Sequence, residues 1–130
     1  MTGLMPVSAQ FAWLVLLSIP VACVAWTVTH EELFREPREW CEQRSKHCRT
    51  LLARKFFYLF TCEYCFSHYI AAAAIATTGF ALLMPGFVGY VLAWFAVVWV
   101  ANVYMSLFGR LRIDIKRERV ETEAEERALR

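Results

Sequence analysis

Two long stretches of this sequence lack any charged side chain. Asp, Glu, Lys and Arg make up 20% of the 130 residues, but none occurs in residues 1–29 or in residues 64–109. Hydrophobic residues make up 58% of the chain and aromatic residues 15%, more than an ordinary soluble domain contains. Since the apolar residues are gathered into these stretches, the pattern argues against a soluble globular domain and indicates a small protein that crosses a membrane several times.

The sequence also lacks a surplus of charge of either sign. It has 14 Lys and Arg residues against 12 Asp and Glu residues, a formal net charge of +2. A nucleic-acid-binding protein of this size is expected to carry a clear basic surplus. We therefore expect no nucleic-acid partner.

The second uncharged stretch is too long for one membrane-spanning helix. Its 46 residues would form a helix of about 69 Å, roughly twice the ~30 Å hydrocarbon core of a bilayer. Pro85 and Gly86 lie near its middle, where proline interrupts the helical hydrogen bonds and glycine permits a reversal. The sequence therefore predicts a hairpin of two spans, at residues 66–84 and 87–109.

The first uncharged stretch predicts a third span, at residues 9–29. Ser8 is placed to cap this helix, and Pro20 predicts a kink near its midpoint. A cleaved signal peptide would need basic residues at its start, and no Lys or Arg precedes Glu31. Lipidation of Cys23 is also disfavoured, because Pro20 stands where a lipoprotein cleavage box has leucine.

All 14 cationic side chains lie on one side of the predicted spans. Seven are in residues 30–63 and seven in residues 110–130, while the N-terminus and the turn at Pro85 carry none. Lys and Arg near span ends are retained in the cytoplasm. We therefore predict an all-α protein with three transmembrane helices, the N-terminus outside and the C-terminus cytoplasmic. Residues 30–63 would form a cytoplasmic loop and residues 110–130 a charged cytoplasmic tail.

Four of the five cysteines fall in or beside the predicted cytoplasmic loop, namely Cys41, Cys48, Cys62 and Cys65. Cys23 stands alone in the first span and is expected to be a small packed side chain. A reducing cytoplasm disfavours permanent disulfides. Metal binding, redox-active thiols and inert packing are the three alternatives for the loop cysteines.

The Cys-x-x-Cys pair formed by Cys62 and Cys65 has the spacing of zinc ligands. A two-residue spacer lets both sulfurs approach one tetrahedral ion, and His68 follows one helical turn later. Cys41 and Cys48 are candidates to complete the set, although in an unbroken helix they would lie about 10.5 Å apart, too far to share one ion. We predict a structural zinc site with ligands drawn from these five residues. An iron–sulfur cluster is the alternative.

The same pair could instead act by thiol–disulfide chemistry. It lies just before the second span, where free backbone N–H groups and the helix dipole favour a thiolate. Cys62 would then attack and Cys65 would resolve. We expect a non-enzymatic membrane subunit or accessory protein, in which the metal rigidifies the loop and presents loop and tail to a larger assembly. A thiol oxidoreductase is the alternative, disfavoured because the chain is expected to be too short to build a substrate groove beside three spans.

A family resemblance covers residues 11–109. It is carried by the basic loop, the alanine-rich second span and the motif between them, Phe60-Thr61-Cys62-Glu63-Tyr64-Cys65-Phe66-Ser67-His68-Tyr69. These features resemble the small bacterial membrane proteins catalogued as domain of unknown function thirteen-sixty, whose hallmark is a Cys-Pro-x-Cys element entering a transmembrane helix. Glu63 stands where that family favours proline. The resemblance implies a multi-pass protein of the bacterial cytoplasmic (inner) membrane and carries no established activity.

The spans themselves predict contacts between helices. Small residues recur through residues 71–79 at three- and four-residue spacing, which allows close helix approach in lipid, and we expect them to pack on spans one and three. Asn102 lies inside the third span and needs a partner, so we expect it to face another helix. No ionisable Asp, Glu, Lys or Arg lies inside a span, which argues against an ion-coupled transporter. Besides the lipid bilayer, we expect a membrane-protein partner or a homo-oligomer.

The charged tail has two possible structures. It could extend the third span as a solvated helix, supported by favourable pairs of oppositely charged residues four apart. Alternatively, the apolar–polar alternation of residues 111–115 could lie along a partner or the membrane surface.

Overall fold

A computed structural model describes residues 5–130 and is α-helical. Helices make up 84% of the described residues and no strand occurs among them. The helices are α1 (Val7–His30), α2 (Arg35–His47), α3 (Leu51–Tyr58), α4 (Glu63–Thr78) and α5 (Phe87–Ala128), with a 3₁₀ turn at Glu32–Phe34. The prediction of an all-α protein is therefore confirmed.

Two helices, α1 and α5, are long and apolar enough to cross a membrane. A third candidate span is formed by α3 and α4 together, which are bent by 83° at the break between them. The chain thus has two or three candidate spans. Pro6 rather than Ser8 takes the cap position of α1, because the helix begins two residues earlier than predicted, at Val7. Pro20 lies inside it.

The three apolar helices α1, α4 and α5 pack against one another. Alanines line the places where they meet, and Ala25, Ala71 and Ala93 are each 0% exposed. Since alanine has no side chain beyond Cβ, the helix backbones can approach closely. The expectation that small residues of α4 pack on its neighbours holds for Ala71, whereas Ala72 and Ala73 face outward.

A polar contact joins α4 and α5 inside the bundle. Asn102 Nδ2 donates to Ser67 Oγ at 3.0 Å and to the backbone oxygen of Val98 at 2.7 Å. Ser67 is fully buried, and its own hydroxyl donates to the backbone oxygen of Tyr64. The expectation that Asn102 faces another helix is confirmed.

Helix α4 ends earlier than the sequence predicts. The second span was expected to reach residue 84, but the helix stops at Thr78, where Gly79 takes a left-handed conformation with φ 67°. Its N–H donates to the backbone oxygen of Ile75 at 2.8 Å and closes the last turn. Phe80 then folds back into the core and stacks on Trp13 at 6.2 Å between ring centroids.

The link between α4 and α5 is fixed by α1. Gln10 is 2% exposed, and its Oε1 accepts the backbone N–H of Leu83 at 2.8 Å. Gly86, with φ 87°, starts α5. The reversal therefore lies at the predicted Pro85–Gly86 turn, but it is preceded by irregular chain rather than by helix.

Helix α5 continues the third span into the tail without a break. At 42 residues it is about 63 Å long, and residues 111–115 belong to it, so the tail extends the span. Its side chains beyond Gly109 are exposed. Near the start of this extension, Arg112 pairs with Glu31 at 2.8 Å and ties α5 to the end of α1.

Candidate functional site

The Cys62–Cys65 pair lies at the first turn of α4. Cys62 takes an extended conformation and caps the helix, because its Sγ accepts the backbone N–H of Cys65 at 3.4 Å. Its carbonyl accepts the N–H of Phe66 at 2.9 Å. The sulfur of Cys62 therefore occupies the place of a capping oxygen, at the positive end of the helix dipole.

The second sulfur is in a different environment. Cys65 is half-buried, just before the predicted span at residue 66. Burial, together with the hydrogen bond and charge of Cys62, raises the pKa of its thiol to about 11. At neutral pH Cys65 is a protonated thiol, while Cys62 is the sulfur that faces a backbone donor.

A sharp turn brings α3 to the start of α4. Both the hydroxyl and the backbone N–H of Thr61 donate to the carbonyl of Tyr58, at 2.7 Å and 2.9 Å. The ring of Phe60 lies between those of Phe56 and Phe66, each 5.7 Å away. These contacts hold the 83° bend between α3 and α4. The two cysteines lie at this bend.

Glu63, between the two cysteines, contacts the end of α1. Its Oε2 lies 3.4 Å from Nε2 of His30. That oxygen is buried and has no hydrogen-bond partner among the described residues, and the contact is an ion pair only when His30 is protonated. The His30 ring stacks on Trp26 at 4.0 Å.

A cavity of about 730 Å³ opens beside Cys65. Cys65, His68 and Ala72 of α4 line it, with Lys55 and other side chains of α3 on one wall and Trp94 of α5 on another. The expectation that the chain is too short to build a substrate groove stays a prediction. The right-angle bend between α3 and α4 opens space that parallel helices would fill.

The five predicted zinc ligands are not gathered at one point. Over residues 5–130, no group of three or more His, Cys, Asp or Glu side chains is placed to hold a metal ion. Cys41 is buried on α2, where burial raises the pKa of its thiol. Cys48 is the C-cap of α2 in an extended conformation, so the helix is unbroken from Cys41 to His47 and ends just before Cys48. The zinc site and the iron–sulfur alternative stay predictions.

His68 is held by its neighbours on α4 and α5. Its Nδ1 is 2.7 Å from the backbone oxygen of Tyr64, and its own carbonyl accepts the indole N–H of Trp94 at 2.7 Å. Its ring meets that of Trp94 edge-on. It lines the cavity with Cys65.

Sequence reasoning missed Trp94 as a residue of this site, and it named Lys55 only among the cations that would stabilise thiolates. Trp94 is 26 residues from His68 along the chain, so no local pattern links them. The mixture of basic and aromatic residues in α3, typical of a helix at a membrane interface, could have indicated the wall that it forms.

The chain has no match among the known proteins compared. No family model, no curated protein and no solved structure matches it. The resemblance to domain of unknown function thirteen-sixty therefore stays a prediction.

Proposed function

We propose that this chain is a three-span protein of the bacterial cytoplasmic (inner) membrane whose Cys62–Cys65 pair exchanges disulfides with a partner thiol protein. The observation that carries the proposal is the asymmetry of the pair. Cys62 accepts a backbone hydrogen bond at a helix start, and Cys65 is a half-buried thiol next to an open cavity. Reactive and resolving cysteines differ in this way in Cys-x-x-Cys exchange sites.

The charge distribution supports the orientation in the membrane. All cationic residues lie in residues 30–63 and 110–130, which the positive-inside rule assigns to the cytoplasm. With α4 as the middle span, the N-terminus is outside and the dithiol lies at the cytoplasmic edge. An active pair there would encounter soluble thiol proteins as well as membrane-dissolved molecules.

The exchange proceeds in two balanced steps. The Cys62 thiolate attacks a partner disulfide, forming a mixed disulfide and releasing one partner thiolate. Cys65 then loses its proton and attacks the Cys62 sulfur, which forms the Cys62–Cys65 disulfide and releases the second partner thiolate. One helical turn separates the two residues, so the second step needs little backbone movement.

Trapping the mixed disulfide tests these roles. In full-length protein with Cys23, Cys41 and Cys48 replaced by serine, glutathione disulfide is expected to leave one glutathione on the Cys65→Ser variant, measured by intact mass. The Cys62→Ser variant is expected to react much more slowly, because Cys65 is half-buried and protonated. Equal modification of both variants would contradict the assigned roles.

A non-enzymatic accessory subunit is the second candidate. It is favoured by the extension of α5, whose side chains beyond Gly109 are exposed and free to meet a membrane-protein partner or a second copy. In that case a structural zinc ion or an iron–sulfur cluster would block the thiols, with Cys41, Cys48 and His68 moving toward Cys62 and Cys65. Deleting residues 113–130 is expected to remove a cross-linked partner, and glutathione disulfide is expected to leave Cys62 unmodified because the metal blocks its thiol.

A further inference from the structure

The cavity beside Cys65 reaches from the polar loop into the apolar part of the bundle. Lys55 and Cys65 line it next to the polar loop, and Ala72 lines it further along α4. Seven residues of helix separate Cys65 from Ala72, which corresponds to about 10 Å along α4. A ligand that fills this space therefore has a polar end near the sulfur and an apolar part in the membrane.

One titratable group in the cavity has a defined proton position. The Tyr64 carbonyl can only accept a hydrogen bond, so Nδ1 of His68, 2.7 Å away, carries the proton. In the neutral ring this leaves Nε2 as a proton acceptor. The bond from the Trp94 indole to the His68 carbonyl anchors this part of α4 against α5.

Aromatic side chains make up much of the cavity wall. Tyr58, Tyr64 and Tyr69 line it together with Trp94, and the three tyrosines are each more than half exposed. Aromatic faces stack favourably on a planar ring, and phenol groups can hydrogen-bond to its substituents. The walls therefore suit a flat, oxygen-bearing ring better than a flexible acyl chain.

We propose that this cavity binds a membrane-soluble quinone, which accepts two electrons from the Cys62–Cys65 dithiol. The inference rests on the proposed exchange function and names its second substrate. When the exchange runs in reverse, a partner dithiol reduces the Cys62–Cys65 disulfide, and the quinone then reoxidises the pair. Two S–H bonds break and one S–S bond forms, while two electrons and two protons pass to the quinone oxygens to give a hydroquinone. His68 Nε2 takes the proton of Cys65 and passes it to the nearer oxygen, and the Lys55 ammonium stabilises negative charge that develops there.

A matched pair of α4 variants tests the cavity. Ala72 lines it, whereas its neighbour Ala73 is also exposed but does not line it. The probe is a decyl-substituted benzoquinone whose ring carries no free position for thiol addition. Reduced full-length protein in nanodiscs is mixed with this quinone without oxygen, and reduction is followed by absorbance. Ala72→Leu is expected to slow reduction about tenfold by filling the site, while Ala73→Leu reacts as the parent protein does.

Binding is measured separately from electron transfer. The double variant Cys62→Ser/Cys65→Ser is expected to retain quenching of tryptophan fluorescence by the quinone and to lose reduction, and Trp94→Phe is expected to lose most of the quenching. Equal reduction rates in Ala72→Leu and Ala73→Leu would overturn the assigned site. So would displacement of the quinone by excess anionic phospholipid, since the cavity would then be a lipid site.

Failure of this inference can be told apart from failure of the proposed function. If glutathione is trapped on Cys62 but the quinone is neither bound nor reduced, the disulfide-exchange function stands and the proposed quinone site is overturned. If neither reaction occurs, both are overturned. Reduction of the quinone that survives in the double serine variant would also overturn the inference, because the electrons would come from elsewhere.

Discussion

The sulfur of Cys62 lies 3.4 Å from the backbone nitrogen of Cys65 and accepts its hydrogen bond. This one contact caps α4 and fixes the first sulfur over the helix start. The hydrogen bond and charge of Cys62 also help to hold the pKa of Cys65 at about 11, after the effect of burial. The two thiols therefore lie in different environments although they are three residues apart.

Removing the Cys62 sulfur is expected to lower the pKa of Cys65. Two of the three causes that raise it come from Cys62, while burial, the largest, remains. In Cys62→Ala the pKa should fall from about 11 and stay above the ordinary value of 9.0. The measurement is the pH dependence of iodoacetamide alkylation at Cys65, with Cys23, Cys41 and Cys48 replaced by serine. An unchanged midpoint of this pH dependence would show that Cys62 does not influence the pKa of Cys65.

Asn102→Ala is expected to destabilise the bundle by about 1 kcal/mol, because it removes a hydrogen bond between α4 and α5 inside the membrane. The donor and acceptor are Asn102 Nδ2 and Ser67 Oγ. Ser106→Ala is the matched control, since it removes an exposed polar group from the same helix. Unfolding in detergent followed by circular dichroism measures the difference. Equal stability of the two variants would contradict the contact.

Gly89→Ala is expected to disrupt the turn before α5. A Cβ at this position would overlap the carbonyl of Met84, and the backbone cannot move aside without opening the turn, at a cost of about 2 kcal/mol. The control is Gly109→Ala on the same helix, where a Cβ would lie 3.3 Å from the edge of the Trp26 ring, which can shift slightly. The free energy of unfolding should fall clearly more for Gly89→Ala.

The predicted orientation places two testable positions on opposite sides of the membrane. An impermeant reagent should therefore label only one of them in intact cells. Cys48 is half-exposed in the predicted cytoplasmic loop, and Met84 is 45% exposed in the turn that would lie outside. In cells carrying one cysteine at a time, a membrane-impermeant maleimide should label Met84→Cys at once and Cys48 only after permeabilisation. Labelling of Cys48 in intact cells would reverse the topology.

The fold was largely predictable because its signals are local. Uncharged stretches marked the helices α1, α4 and α5, and Pro85 and Gly86 marked the reversal. The early end of α4 was not predictable from hydropathy, since residues 79–84 carry no polar or charged side chain. What ends it is a left-handed Gly79 and the tertiary contact that Gln10 makes with Leu83.

The candidate site was predictable only in part. Spacing alone identified Cys62 and Cys65, because their relationship is set within one helical turn. The cavity depends on the angle between α3 and α4 and on Trp94 from a distant helix, neither of which leaves a pattern in the sequence. The proposed ligand roles of Cys41 and Cys48 depended in the same way on how the loop folds, which composition does not determine.

A free dithiol at Cys62 and Cys65 is tested most directly by metal analysis combined with a glutathione redox titration of the full-length protein. We expect no stoichiometric zinc or iron, and one two-electron transition that Cys41→Ser leaves unchanged and Cys62→Ser abolishes. About one zinc or iron per chain, lost together with Cys62, and thiols that do not titrate would contradict a dithiol and establish a metal site instead.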